Sequence, residues 1–262
     1  MACETISAED LRNQLAIDIP GVMTKVTDWR HHFHEFPELS NREYKTQESI
    51  AEALIEMGLE PNLSYGITGV TAFIRGQNAG PLIALRADID GLPVTEKLNL
   101  PFSSKAKTTY QGNEVGVMHA CGHDAHIAVL LGVASFLSQN TDKLNGDILL
   151  IFQPAEEGAP EGEEGGAELM LKQGLFEAEK PDAIFGMHVA NFKNGQIWTK
   201  PGPIMASAEA FRIKVQGKQT HGSRPWSGVD PIIAASDIAT TLQTIVSRRL
   251  NLLDSQAVVT VG

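Results

Sequence analysis

Apolar runs typical of β-strands alternate along this chain with segments typical of α-helices. The strand-like runs cover 81–90, 146–157 and 181–189, and the helix-like segments between them cover 123–140 and 164–179. The first helix has the length and apolar density of a buried helix, with Asp124 as its expected N-cap. Pro154 is expected to end the second strand. This order predicts an α/β fold with a mostly parallel sheet.

A second pattern begins near residue 210. The segment 210–222 alternates like a half-exposed strand, and 230–250 is typical of a long helix that starts at Asp230 and Pro231. Another strand-like run follows at 256–262. We therefore expect a second, smaller α+β domain in this part of the chain.

Composition restricts the classes of partner. With 32 acidic and 21 basic residues, the 262-residue chain has a formal charge of −11, which disfavours binding to a phosphate backbone. The longest strongly apolar run, Ile127 to Leu137, is shorter than the roughly 20 residues that span a bilayer. We expect no nucleic acid or membrane partner. The acidic N-terminal segment predicts a cytoplasmic protein, and a secreted or periplasmic one if a signal peptide has been removed.

Side chains able to bind a metal follow each strand. Because the carboxyl ends of parallel strands meet at one edge of an open sheet, these residues are expected to lie together. They are Asp88 and Asp90 after the first strand, Glu156 and Glu157 after the second, His188 after the third, and Cys121 and His123 before the helix. Thiolate, imidazole and carboxylate groups suit zinc, and also manganese, cobalt or nickel. The sequence predicts a metal site.

Each of these residues also has an ordinary structural interpretation. A lone His188 is more often a hydrogen-bonded core residue, and Cys121 a small buried hydrophobe. The glutamates are compatible with surface charge, and the aspartates with turns. The metal interpretation depends on four strand or helix junctions converging on one edge. His126 is favoured slightly as a partner of the ligands, whereas the histidines of the N-terminal helix are expected to be structural or exposed: His31, His32 and His34.

Seven sequence blocks resemble the amidohydrolase branch of the aminoacylase and carboxypeptidase G family of metallopeptidases. In chain order they are RHHFHEFPELSNREYKT, LRADIDGLPVTE, MHACGHDAHIA, FQPAEEG, GGAELML, GMHV and GVDPIIAA. This branch includes hippurate hydrolases, N-acyl-amino-acid amidohydrolases and hydrolases of auxin conjugates. The resemblance implies a zinc-peptidase-like catalytic domain at 1–205 and the first part of a ferredoxin-like lid and dimerisation domain at 206–262.

The resemblance also implies roles for individual residues. It implies two divalent metal ions, held by Cys121, His123, Glu157 and His188, with Cys121 between the two ions. Glu156 matches the general acid and base, and Asp90 matches an aspartate that orients a ligand. His221 matches a lid histidine that reaches the neighbouring subunit of a homodimer and stabilises the oxyanion. The substrate class implied is an N-acyl amino acid.

The family has a further histidine ligand toward its C-terminus, and this chain ends at Gly262, within the expected lid. Two functions therefore remain as alternatives. The chain is part of a metal-dependent amidohydrolase, or it is a catalytically silent metal-binding fragment that acts as an assembly or binding module. A thiol hydrolase that uses Cys121 as nucleophile is disfavoured, because a thiolate bound to metal is not free to attack.

Overall fold

The computed structural model describes residues 8–202, 204, 207, 209–251 and 257–262. Contacts divide the chain into two compact units, Met1–Asn191 and Phe192–Gly262. Neither the catalytic nor the lid assignment of the two domains follows from this division, so both remain predictions. No helix in the described part of the chain is both long and apolar enough to cross a membrane.

The first unit contains a four-stranded sheet in the order β1, β5, β2, β6. The strands are β1 (Val70–Ile74), β2 (Asn78–Asp88), β5 (Asn145–Gln153) and β6 (Ala183–Gly186). β2 lies parallel to both β5 and β6, and only β1 runs antiparallel. The predicted α/β class with a mostly parallel sheet is confirmed.

Both faces of the sheet are covered, as the apolar strands require. Leu150 and Phe152 of β5 belong to the core that the sheet forms with three helices. Leu149 and Ile151 point to the other face, where they pack against Met170. The three helices of the first face are α1 (Ala8–Glu35), α2 (Tyr44–Glu56) and α3 (His123–Ser138), and α4 (Gly166–Lys172) covers the second. A hairpin of β3 (Lys107–Tyr110) and β4 (Asn113–Gly116) lies outside this sheet.

Two helix ends differ from the sequence prediction. The N-cap of α3 is Gly122, and Asp124 lies in the first turn, where its carboxylate bonds Arg30 and His34 instead of the helix amides. α4 ends seven residues earlier than expected, because Gly174 adopts a φ of +88° and its amide bonds the Leu171 carbonyl. Ion pairing in the first case and a glycine C-cap in the second override the apolar pattern.

The second unit contains helix α5 (Pro231–Thr244), followed by a π-helical turn at Ile245–Arg249. Asp230 caps α5 by accepting the amides of Ile232 and Ile233, as predicted. The two strands expected at 210–222 and 256–262 are not formed by the described residues of those segments, where Lys218 makes one isolated bridge to Val229. A strand exists only where another strand pairs with it.

Candidate metal centre

Three parallel strands bring their carboxyl ends to one edge of the sheet. Asp88, the last residue of β2, pairs in register with Gln153, the last residue of β5. β6 ends two residues before His188. The ends of these strands and the start of α3 therefore carry the side chains that the sequence predicted to converge.

His123 lies at the middle of this edge and is fully buried. Its Nδ1 lies 2.9 Å from the backbone oxygen of Asp90, and since a carbonyl only accepts, Nδ1 carries the proton. Nε2 has no hydrogen-bond partner among the described residues. Carboxylate oxygens of Asp88, Glu156 and Glu157 nevertheless lie 3.6, 3.6 and 3.8 Å from Nε2. In the neutral ring Nε2 is unprotonated and faces three carboxylates, a set of donors that a bound cation would bring together.

Cys121 and His188 form the opposite wall of the same centre. His188 donates from Nδ1 to the Val189 carbonyl, so that its unprotonated Nε2 faces the Cys121 sulfur at 3.4 Å. The donor atoms of Cys121, His123 and His188 all lie within 4.8 Å of one another. Both histidines thus present the tautomer that a metal ligand needs.

Glu156 and Glu157 both face His123. An extended backbone at 156–157 would send the two adjacent side chains to opposite sides. Instead the segment is a turn in which Ala155 has a φ of +51°, and both carboxylates reach the same Nε2 atom. Burial raises the pKa of Glu156 above its usual range, helped by the nearby charge of Glu157. A carboxylate with a raised pKa is suited to accept a proton near neutral pH.

Asp88 and His126 form a buried hydrogen-bonded pair next to the candidate ligands. The Val189 amide donates to His126 Nε2 at 2.9 Å, so the Nδ1 proton of His126 is donated to Asp88 at 2.5 Å. Burial alone would raise the pKa of Asp88, but the His126 hydrogen bond and the Arg86 charge lower it to about 2. His126 therefore holds the backbone beside His188, in agreement with the slight preference for a supporting role.

The residues present fit a divalent metal. Cys121, His123 and His188 supply sulfur and nitrogen donors, and Glu156 and Glu157 form a second group with His123. The orphaned His123 nitrogen and the two ligand tautomers point to a cation at this position. Burial, together with the Glu157 charge, raises the pKa of the Cys121 thiol to about 12. The thiol alone is therefore a poor nucleophile, which agrees with the rejection of thiol catalysis.

A cavity of about 750 Å³ adjoins Cys121. Its lining is mixed: aliphatic residues such as Leu98 and Val129 lie beside charged residues such as Arg30 and Glu96, and His119 also lines it. Both ring nitrogens of His119 lack a hydrogen-bond partner among the described residues, and burial lowers the pKa of His119 to about 4. The volume matches that of small-molecule sites.

His34 is a buried structural residue, as expected, and it contacts the helix that carries His123. It was placed with the structural histidines of the N-terminal helix, away from the strand edge. Its ring is buried and bonds Glu96 at 3.3 Å and, at 2.8 Å, Asp124, the residue that follows His123 in the chain. Only the packing of α1 against α3 brings these groups together, and that long-range contact has no local sequence signal.

His221 belongs to the second unit and is exposed there. The Ser223 amide donates to His221 Nδ1 at 3.2 Å. In the neutral ring the proton is therefore on Nε2, which leaves that nitrogen as a hydrogen-bond donor.

Gly122 allows Cys121 and His123 to face one centre. Its φ is +91°, and an added Cβ would lie 2.3 Å from a Val189 methyl carbon. We expect Gly122→Ala to destabilise the fold by about 1 to 2 kcal/mol or more and to weaken metal binding, as measured by thermal melting and calorimetry. Gly112→Ala is the control, because Gly112 also has a positive φ but no atom near its added Cβ. Equal metal affinity in the two variants would contradict this role.

Comparison with known proteins identifies the family of this centre. The model of Peptidase family M20/M25/M40 matches residues 84–253, which include every predicted residue of the centre. The chain belongs to this family. The family membership expected from the seven sequence blocks is thus confirmed.

Two named relatives are similar over most of this chain. An N-acetyl-L-cysteine deacetylase of Bacillus subtilis is 44% identical over 89% of the chain and 52% of its own length. A hippurate hydrolase of Campylobacter jejuni is 42% identical over 94% of the chain and 60% of its own length. The chain thus spans about half to three fifths of these relatives.

Solved structures agree with this family. A Bacillus subtilis protein described as a dinuclear metal binding peptidase from the M20 family matches with a TM-score of 0.65 and 39% identity. The match covers 86% of this chain and 57% of that protein. The chain is therefore similar to that protein in fold as well as in sequence.

Proposed function

We propose that the protein hydrolyses the amide bond of N-acyl amino acids at a centre of two divalent metal ions. The observation that carries this proposal is the unpartnered Nε2 of His123, surrounded by the carboxylates of Asp88, Glu156 and Glu157. The relatives named as a deacetylase and a hippurate hydrolase support the substrate class. Zinc or manganese suits the mixed donors best, and cobalt or nickel is also compatible.

Different residues of the chain have different roles in the proposed reaction. Cys121, His123, Glu157 and His188 would hold the metal ions, and bound ions would supply a lowered water pKa and polarisation of the scissile carbonyl. Glu156 removes a proton from water and delivers it to the leaving nitrogen, for which its raised pKa is suited. Asp90 orients the centre, because its backbone oxygen accepts from His123 and its carboxylate accepts from the Glu157 amide.

The second unit is proposed to complete the enzyme as a lid and homodimerisation domain. His221 would donate from Nε2 to the developing oxyanion of the neighbouring subunit's substrate. The ring geometry supports this role, because Ser223 occupies Nδ1 and leaves Nε2 as the donor.

Removal of metal tests the proposal. We expect a chelator to abolish hydrolysis of hippurate or an N-acetyl amino acid by the gene product that contains this chain. Added zinc or manganese should restore the rate, because the carbonyl and water are activated at the metal. The same chelator saturated with calcium is the control. Turnover that resists the chelator would exclude metal catalysis, and bound metal without turnover would favour the silent binding module.

A further inference from the structure

Glu43 is a fully buried carboxylate outside the proposed ligand set. One oxygen accepts the Thr68 hydroxyl, and the other accepts the Ala155 amide at 2.9 Å. Burial of a carboxylate is costly unless its oxygens are satisfied by donors. One of the two partners, Ala155, belongs to the turn that carries Glu156. The buried Glu43 side chain therefore supports that turn.

The Ala155 backbone is the strained point of that turn. Its φ of +51° is left-handed, a region that a residue with a Cβ rarely adopts. Such a conformation persists only where neighbouring groups hold it in place. The hydrogen bond from the Ala155 amide to Glu43 is the contact that holds the start of the turn.

A second buried carboxylate holds the other end of the same turn. Asp90 accepts the Glu157 amide at 2.9 Å and the Ser40 hydroxyl at 2.7 Å. The amides on both sides of Glu156 are therefore held by buried carboxylates. Ser40 and Glu43 come from the same short segment before α2, so this segment supports both ends of the turn.

We propose that Glu43 is a positioning residue for the metal centre. By holding the Ala155 amide, Glu43 keeps the turn in the conformation that points Glu156 and Glu157 at His123. The proposal builds on the proposed function in that the centre binds a metal, but metal affinity tests it without any substrate. Failure to hydrolyse amides would leave this test unchanged.

Cobalt affinity of the purified chain provides the first test. We expect Glu43→Ala to weaken Co²⁺ binding about 10- to 100-fold, the usual effect of losing a group that orients a ligand. Thr68→Val is the matched control, because it removes the other hydrogen bond of Glu43 and leaves the Ala155 contact intact. Its affinity should stay within about threefold of the wild type. Thermal melting without metal shows whether each variant is folded.

A double variant separates positioning from simple core packing. Glycine adopts a positive φ without the steric cost of a Cβ, so Ala155→Gly should recover about fivefold of the Co²⁺ affinity lost in Glu43→Ala. Wild-type affinity in Glu43→Ala, or no recovery in the double variant, would overturn the proposal. If Glu43→Ala does not fold, Glu43→Asp takes its place, because it keeps the carboxyl group but is one methylene too short to reach the Ala155 amide.

Discussion

We expect Glu156→Gln to reduce hydrolysis of an N-acyl amino acid about 10²- to 10⁴-fold in the gene product that contains this chain. Glutamine has nearly the shape of glutamate but cannot accept the proton that water must lose. Metal content should stay close to that of the wild type, because Glu156 is not among the proposed ligands. Initial rates and metal analysis measure the two effects separately.

Glu161→Gln is the matched control for Glu156→Gln. It removes the same charge from the exposed part of the adjacent acidic segment and should leave the rate unchanged. A Glu156→Gln enzyme with more than about a tenth of the wild-type turnover would remove Glu156 from the acid and base role. Loss of metal together with activity would instead make Glu156 a ligand, an assignment that its distance to His123 permits.

His221→Ala should lower turnover about 10²- to 10³-fold, the typical effect of removing one oxyanion donor. Metal content and dimerisation should be unaffected, because His221 is an exposed residue of the second unit. Rates, metal analysis and sedimentation measure the three properties.

Mixed dimers test whether His221 acts across subunits. In a hybrid of His221→Ala and Glu156→Gln subunits, one centre combines an intact Glu156 with an intact His221 from the partner. We expect such hybrids to recover part of the activity. Verified hybrids with no recovery would show that His221 does not act in the neighbouring subunit.

The sheet and the edge that carries the candidate ligands could be predicted because their signals are local. Apolar runs of strand length that alternate with helix-like segments indicate parallel strands, and β2, β5 and β6 are parallel. The strands expected in the second unit illustrate the limit of the same signal. Alternating polarity identifies a segment that is able to pair, but a strand forms only where a partner strand is present. Among the described residues of 210–222, the structure has only the isolated bridge at Lys218.

Sequence alone determined the chemistry of the candidate donor atoms and the edge of the sheet where they meet. Residue type specifies thiol, imidazole and carboxylate chemistry, and the position of Cys121, His123 and His188 at element ends specifies the edge. The tertiary structure decided how those donors are presented. Contacts between residues distant in sequence set the tautomer of His123 and hold the left-handed turn at Ala155, which Glu43 supports from more than a hundred residues away along the chain. A strained backbone and a buried carboxyl group persist only where neighbouring groups pack against them and satisfy their hydrogen bonds. No local sequence pattern encodes those neighbours.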